Sequence, residues 1–143
     1  MNRKDFQKPS KIRIKEARKL LDGGLFSGSY YLAGYSLEFA LKASIARLLG
    51  TPKPFEFPKK EFRQFIDDIY THNLRKLFDS ADLWNQFDKE LKNNKQLSVN
   101  WSLVQGWSEN ARYEFKTEVE AKDLFKAITD KSNGVLPWLK KYW

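Results

Sequence analysis

The chain has 143 residues, a net charge of +8 and no cysteine, and its length predicts one domain with its own hydrophobic core. The lack of cysteine excludes disulfides, thiolate metal sites and a cysteine nucleophile. The most apolar stretch, residues 30–49, carries Glu38, Lys42 and Arg47. Because charges at such central positions are costly in lipid, this stretch predicts a buried core helix. We therefore expect a cytoplasmic protein that makes no membrane contact.

Two helices are predicted in the first third of the chain. The first covers about 11–22, with Ser10 as its N-cap and Gly23-Gly24 as its stop. Residues 1–9 are expected to form a flexible basic N-terminus. The second covers about 29–49 and is apolar nearly all round, which is typical of a central helix. The short glycine-rich turn between them predicts an antiparallel pair.

Shorter helices are predicted along the remainder of the chain. Closely spaced prolines make 51–60 a loop, and helical spacing of apolar residues returns over 62–69. Thr71 is the expected N-cap of the next helix, and Thr117 with Glu120 forms the capping box of a later one. The other predicted helical segments are 74–78, 83–93, 97–107, 121–128 and 135–142. The sequence therefore predicts a single all-α domain over residues 1–143.

Two phenols and an ion pair fall on one face of the central helix. At about 100° per residue, Tyr31, Tyr35, Glu38 and Lys42 share a narrow stripe. Glu38 and Lys42 are also an i,i+4 pair in the favourable order. Because buried charges are usually paired, the stripe fits either a polar pocket or shared interface, or a structural ion pair at the helix edge.

His72, the only histidine, and the pair Arg112-Tyr113 are the other candidate site residues. Near a helix N-terminus, His72 can transfer protons at neutral pH or make a structural hydrogen bond. Arg112 can hold a phosphate bidentately while Tyr113 stacks or donates a hydrogen bond. The alternative is an ion pair from Arg112 to one of three carboxylates, Glu109, Glu114 or Glu38. No metal-ligand set or glycine-rich phosphate loop is found, so we expect neither a metal nor a cofactor.

Much of the positive charge lies at the start of the chain. Such a surface attracts phosphate-bearing partners through its long-range field, or serves only as a solvated helix face. The basic residues concerned are Arg3, Lys4, Lys8, Lys11, Arg13, Lys15, Arg18 and Lys19, against Asp5, Glu16 and Asp22.

Three segments of the chain resemble the HEPN domain family (higher eukaryotes and prokaryotes nucleotide-binding). Residues 16–48, EARKLLDGGLFSGSYYLAGYSLEFALKASIARL, resemble the opening helical hairpin of that family. Residues 71–78, THNLRKLF, resemble its THDLxxL segment. Arg112-Tyr113 and residues 120–128, EAKDLFKAI, resemble an RY pair and the late helix that follows it. Together these segments span most of the chain, and they follow one another in the order of the family.

The resemblance implies an up-and-down helical bundle of four to five main helices plus short helices, usually as a homodimer. Many HEPN domains are ribonucleases that pair an Arg and a His from an Rx4-6H motif across the dimer. Others bind nucleotides or RNA, or accompany minimal nucleotidyltransferases in toxin–antitoxin and defence loci. Here no histidine follows Arg112 at that spacing, so the classical cleavage motif is absent.

The leading hypothesis is therefore a non-catalytic or atypical HEPN module that binds a nucleotide or RNA, with a nucleotidyltransferase-type protein as partner. The expected ligand-binding residues are Tyr31, Tyr35, Glu38, Lys42, His72, Arg112 and Tyr113. One alternative is a divergent, metal-independent HEPN ribonuclease toxin in which His72 acts with Arg112. Another is a dimeric interaction module whose interface is the tryptophan-rich C-terminus, with Trp107, Trp138 and Trp143.

Overall fold

A computed structural model describes residues 3–49, 67 and 69–143, and this part of the chain is helical and free of strands. The elements are α1 (Arg3–Asp22), α2 (Phe26–Leu49), α3 (Leu74–Ser80), α4 (Trp84–Asn93), α5 (Lys95–Gln105), a 3₁₀ helix (Glu109–Tyr113), α6 (Glu118–Thr129) and α7 (Val135–Lys140). The all-α prediction is confirmed, and the helices pack as a bundle. The predicted loop over 51–60 and most of the predicted helix over 62–69 lie outside the described residues.

Helices α1 and α2 form an antiparallel pair held by two buried serines. Ser10 Oγ donates to the carbonyl of Ser36 at 2.8 Å, and Ser29 Oγ donates to the carbonyl of Ala17 at 2.8 Å. Ser10, near the start of α1, thus contacts the later position on α2, and Ala17 contacts the earlier one. The two helices therefore run in opposite directions. The small serine side chains let the two backbones approach closely while their hydroxyls remain satisfied.

Helix α1 begins at Arg3, so the predicted flexible N-terminus is wrong for residues 3–9. Phe6 buries its ring with only 3% exposed, and the Arg3 guanidinium donates to the carbonyl of Trp143. Pro9 lies inside the helix and has no N–H to donate. Burial of Phe6 stabilises this first turn despite the proline. Ser10 is consequently a buried donor within the helix and not its N-cap.

Caps set the boundaries of the shorter helices. The N-cap of α3 is Asn73, whose Oδ1 accepts from the Lys76 N–H at 3.1 Å. The predicted cap Thr71 instead accepts from the Asn73 N–H at 3.1 Å, so it stabilises the turn before the helix. The predicted capping box of α6 is confirmed, since Thr117 and Glu120 each accept the other's backbone N–H at 3.2 Å. Arg112-Tyr113 ends the 3₁₀ helix.

An aromatic cluster joins α3, α4, α5 and α7. Phe78 and Phe87 stack with their centroids 4.6 Å apart, and Trp138 lies 4.8 Å from Phe87. The three tryptophans of the C-terminal part, Trp107, Trp138 and Trp143, are all buried within the chain. Their rings are part of the core of the domain and offer little surface to a partner, which does not favour the alternative in which this part of the chain is an interface.

Gly34 of α2 lies directly against the Trp107 indole. A Cβ at Gly34 would lie 2.2 Å from Trp107 Cε2, far inside van der Waals contact. Trp107 Nε1 also donates to the carbonyl of Tyr31 at 3.2 Å. Because glycine at position 34 has no side chain, the segment before the 3₁₀ helix can pack closely on α2.

We expect Gly34→Ala to lower the free energy of unfolding by about 1–3 kcal/mol, because the new methyl group displaces the indole from a packed position. Urea unfolding followed by tryptophan fluorescence measures the change. Gly28→Ala is the matched control in the same helix, since its Cβ would meet only the flexible end of Leu20 at 3.3 Å. Equal stabilities for the two variants would contradict the role of the Gly34 contact.

Candidate functional site

A buried carboxylate lies at the centre of the predicted stripe on α2. Glu38 is only 1% exposed. Its Oε1 accepts from Lys42 Nζ at 2.7 Å, and both of its oxygens lie 3.0 Å from His72 Nδ1. The carboxylate is therefore paired by a cation from its own helix and by a ring from the segment before α3. This satisfies the requirement that a buried charge be both paired and hydrogen-bonded.

His72 is held between two carboxylates. While Nδ1 faces Glu38, Nε2 lies 3.1 Å from Oε2 of Glu109 on the 3₁₀ helix. Only the imidazolium form can donate from both ring nitrogens at once. Glu38 is buried, whereas Glu109 is 39% exposed. The inner carboxylate thus fixes the ring, and the outer one covers the nitrogen that faces solvent.

The two tyrosines of the stripe pack beside this group. The rings of Tyr31 and Tyr35 meet edge to face at 5.3 Å, and the Tyr35 ring lies 6.0 Å from the His72 ring. Burial, followed by the negative charge of Glu38, raises the pKa of Tyr35 to about 12. Its hydroxyl therefore stays protonated and remains a hydrogen-bond donor throughout the physiological pH range.

A groove of about 380 Å³ opens on the solvent side of His72. Its wall is mainly polar, with a cation, an imidazole, a carboxylate and several amides and hydroxyls. The lining residues are Thr71, His72, Asn73, Leu74, Arg75, Trp101, Val104, Gln105, Trp107, Ser108, Glu109 and Asn110. This concave volume lies within the range of small-ligand sites.

Arg75 is a groove residue that sequence reasoning missed. Its guanidinium lies 3.6 Å from the centre of the Trp84 ring, and Nη1 lies 2.6 Å from Asp79 Oδ1 without the alignment of a hydrogen bond. Stacking and the ion pair together fix the plane of the guanidinium. The only signal available in the sequence is proximity, since Arg75 follows His72 by three residues.

Arg112 and Tyr113 do not join the site. Both are exposed, and the Arg112 guanidinium lies 4.8 Å from the ring of its neighbour Tyr113. Within the described residues, no hydrogen bond or ion pair joins Arg112 to His72 or to any of the three carboxylates considered above. The other five predicted site residues lie together around Glu38, and of these only His72 lines the groove.

In residues 3–49, 67 and 69–143, no three His, Asp or Glu side chains come together in a way that could hold a metal ion. None of the helices described in this range combines the length and apolar character needed to cross a bilayer.

No family model matches the chain, and neither the curated proteins nor the solved structures compared with it gave a match. The resemblance to HEPN domains thus depends on the three sequence segments alone.

We expect Glu38→Gln to lower the free energy of unfolding by about 2–3 kcal/mol, because two donors lose a buried charged acceptor. Glu109→Gln is the matched control, since it removes the other carboxylate from the same histidine at a partly exposed position. There we expect a loss of at most about 1 kcal/mol. Chemical unfolding of both variants measures the difference, and similar losses would contradict the central position of Glu38.

Proposed function

We propose that the groove beside His72 binds a nucleotide or a short segment of RNA, and that the protein is an atypical HEPN module without the ribonuclease motif. One observation carries this proposal. A fixed guanidinium, Arg75, and an imidazole held by a buried carboxylate, His72, line the same groove. Both groups are suited to an anionic ligand.

Arg75 is the phosphate partner in this proposal. Its side chain is 40% exposed, while Nη1 is buried beside Asp79. A phosphate oxygen accepts from the N–H groups of the exposed part of this fixed planar donor. The net charge of +8 further favours an anion over a neutral ligand.

Amides and hydroxyls contact the rest of the ligand. Gln105, Ser108 and Asn110 line the groove beyond Arg75 and offer donors and acceptors to base edges and ribose hydroxyls. Trp101 and Trp107 are each only 5% exposed, so they offer little ring surface to a base. Recognition therefore depends on charge and hydrogen bonds more than on base stacking.

The HEPN resemblance extends this proposal beyond the groove. It adds a homodimer that acts with a nucleotidyltransferase-type partner protein in a toxin–antitoxin or defence system. Support for this extension comes from the quoted sequence segments.

Titration of the protein with ATP, GTP and short single-stranded RNAs tests the groove. We expect Arg75→Gln to weaken binding about 10- to 100-fold, because one charge-assisted contact to phosphate is lost. Arg112→Gln is the matched control and should leave the affinity within about twofold. The absence of binding, or an equal loss in the two variants, would rule out the groove as the site, provided that circular dichroism shows both variants folded.

A ribonuclease is the second candidate, favoured by the way Glu38 holds His72. A buried carboxylate on Nδ1 and a solvent-facing Nε2 form the usual arrangement of a histidine acid–base catalyst. In such a reaction the RNA 2′-oxygen bonds to phosphorus and the bond to the 5′-oxygen breaks. His72 gives its Nε2 proton to the leaving oxygen, while the 2′-hydroxyl proton passes to water. Arg75 contacts the phosphate.

Incubation of single-stranded RNA with the protein in the presence of a chelator tests this candidate. Cleavage should persist without metal, and His72→Ala should reduce its rate by about 10²- to 10⁴-fold. Arg112→Ala should leave the rate unchanged, in contrast to the pairing expected from the sequence. RNA that stays intact at high protein concentration would remove this candidate while leaving the binding proposal in place.

A further inference from the structure

Five lysines share the outer face of α1. Lys4, Lys8, Lys11, Lys15 and Lys19 follow one another at intervals of four, three, four and four residues, and all five are exposed. At about 100° per residue they fall within an arc of about 80°, and at about 1.5 Å per residue they extend over about 22 Å. We call this set the lysine face.

Four of these lysines, Lys8, Lys11, Lys15 and Lys19, lack the carboxylate partners that two arginines of the same helix have among the described residues. Arg13 pairs with Glu16 and Arg18 pairs with Asp22. Within residues 3–49, 67 and 69–143, no ion pair joins Lys8, Lys11, Lys15 or Lys19 to a carboxylate. Like charges four residues apart on a helix repel each other, so the arrangement opposes helix formation. From Lys8 to Lys19 it gives the helix a line of positive charge that no carboxylate of the described residues compensates.

This face lies on the other side of α2 from the His72 groove. Helix α1 contacts α2 through Ser29 and Ser36, whereas Glu38 points toward His72. Ser36 and Glu38 are about 160° apart around the helix axis. The lysine face is therefore a second surface, and it does not depend on the function proposed for the groove.

We propose that the lysine face binds the phosphate backbone of double-stranded nucleic acid, RNA or DNA, without regard to sequence. A duplex carries about one charge per 1.7 Å of its axis, so a straight line of cations about 22 Å long meets phosphates in any register. Lysine is a point charge without the planar fork that reads base edges. A lipid surface fits less well, because the apolar side of α1, with Phe6 and Ala17, is buried in the core.

Fluorescence anisotropy with labelled duplex RNA and duplex DNA of about two turns, over about 50 to 200 mM salt, tests this proposal. The variant replaces Lys8, Lys15 and Lys19 with Gln and keeps Lys11, which lies over the Trp143 ring. We expect the slope of log affinity against log salt to become less negative by about 2.7, from three lost phosphate contacts. Affinity at about 100 mM salt should fall at least about tenfold.

The matched control replaces Lys89, Lys95 and Lys131 with Gln, which removes the same charge from exposed positions on other segments. It should change the slope by less than about 1. Equal losses in the two triple variants, or no duplex binding at low salt, would overturn the proposal. So would equally strong binding to phosphatidylserine vesicles or to poly-glutamate. Circular dichroism should show both variants folded, and RNA alone or DNA alone as ligand would identify the source of the phosphate.

Discussion

The buried carboxylate of Glu38 is the constraint on which the rest of the site depends. An ionised group with 1% exposure is tolerated in an apolar helix only where donors surround it. Lys42 and His72 are those donors, and they come from different parts of the chain. The need to satisfy one charge therefore docks the segment before α3 onto α2. That same docking positions Arg75, three residues farther along the chain, at the wall of the groove.

Sequence reasoning succeeded where the signal is local. The Glu38–Lys42 pair lies one turn apart on a single helix, and the box formed by Thr117 and Glu120 lies within four residues. Both appear in the structure as predicted. The energetics of such contacts are set by backbone geometry that the sequence spacing already specifies. The all-α class followed from the same kind of periodic and capping information.

The failures concern contacts between distant segments. Helix α1 extends to Arg3 because the Phe6 side chain is buried in the folded core. Local sequence rules instead place the start of the helix after Pro9, because proline disfavours a helix interior. Glu109, and not Arg112, reaches His72 across 37 residues of sequence. The sequence favoured Arg112 because arginine binds phosphate. In the structure it is Glu109, at the start of the same 3₁₀ helix, that contacts His72. Tertiary packing decided these cases, and no spacing in the chain encodes it.

The contact between Gly34 and Trp107 also determines how the site can move. The indole occupies the space of an absent side chain on α2 and donates to the Tyr31 carbonyl of that helix. Trp107 and Glu109 are two residues apart, so the carboxylate that covers His72 is tethered to the same helix as the carboxylate beneath it. Both carboxylates around the imidazole are in this way held by α2. A ligand of the proposed groove that contacts Nε2 would have to displace the Glu109 side chain from the ring.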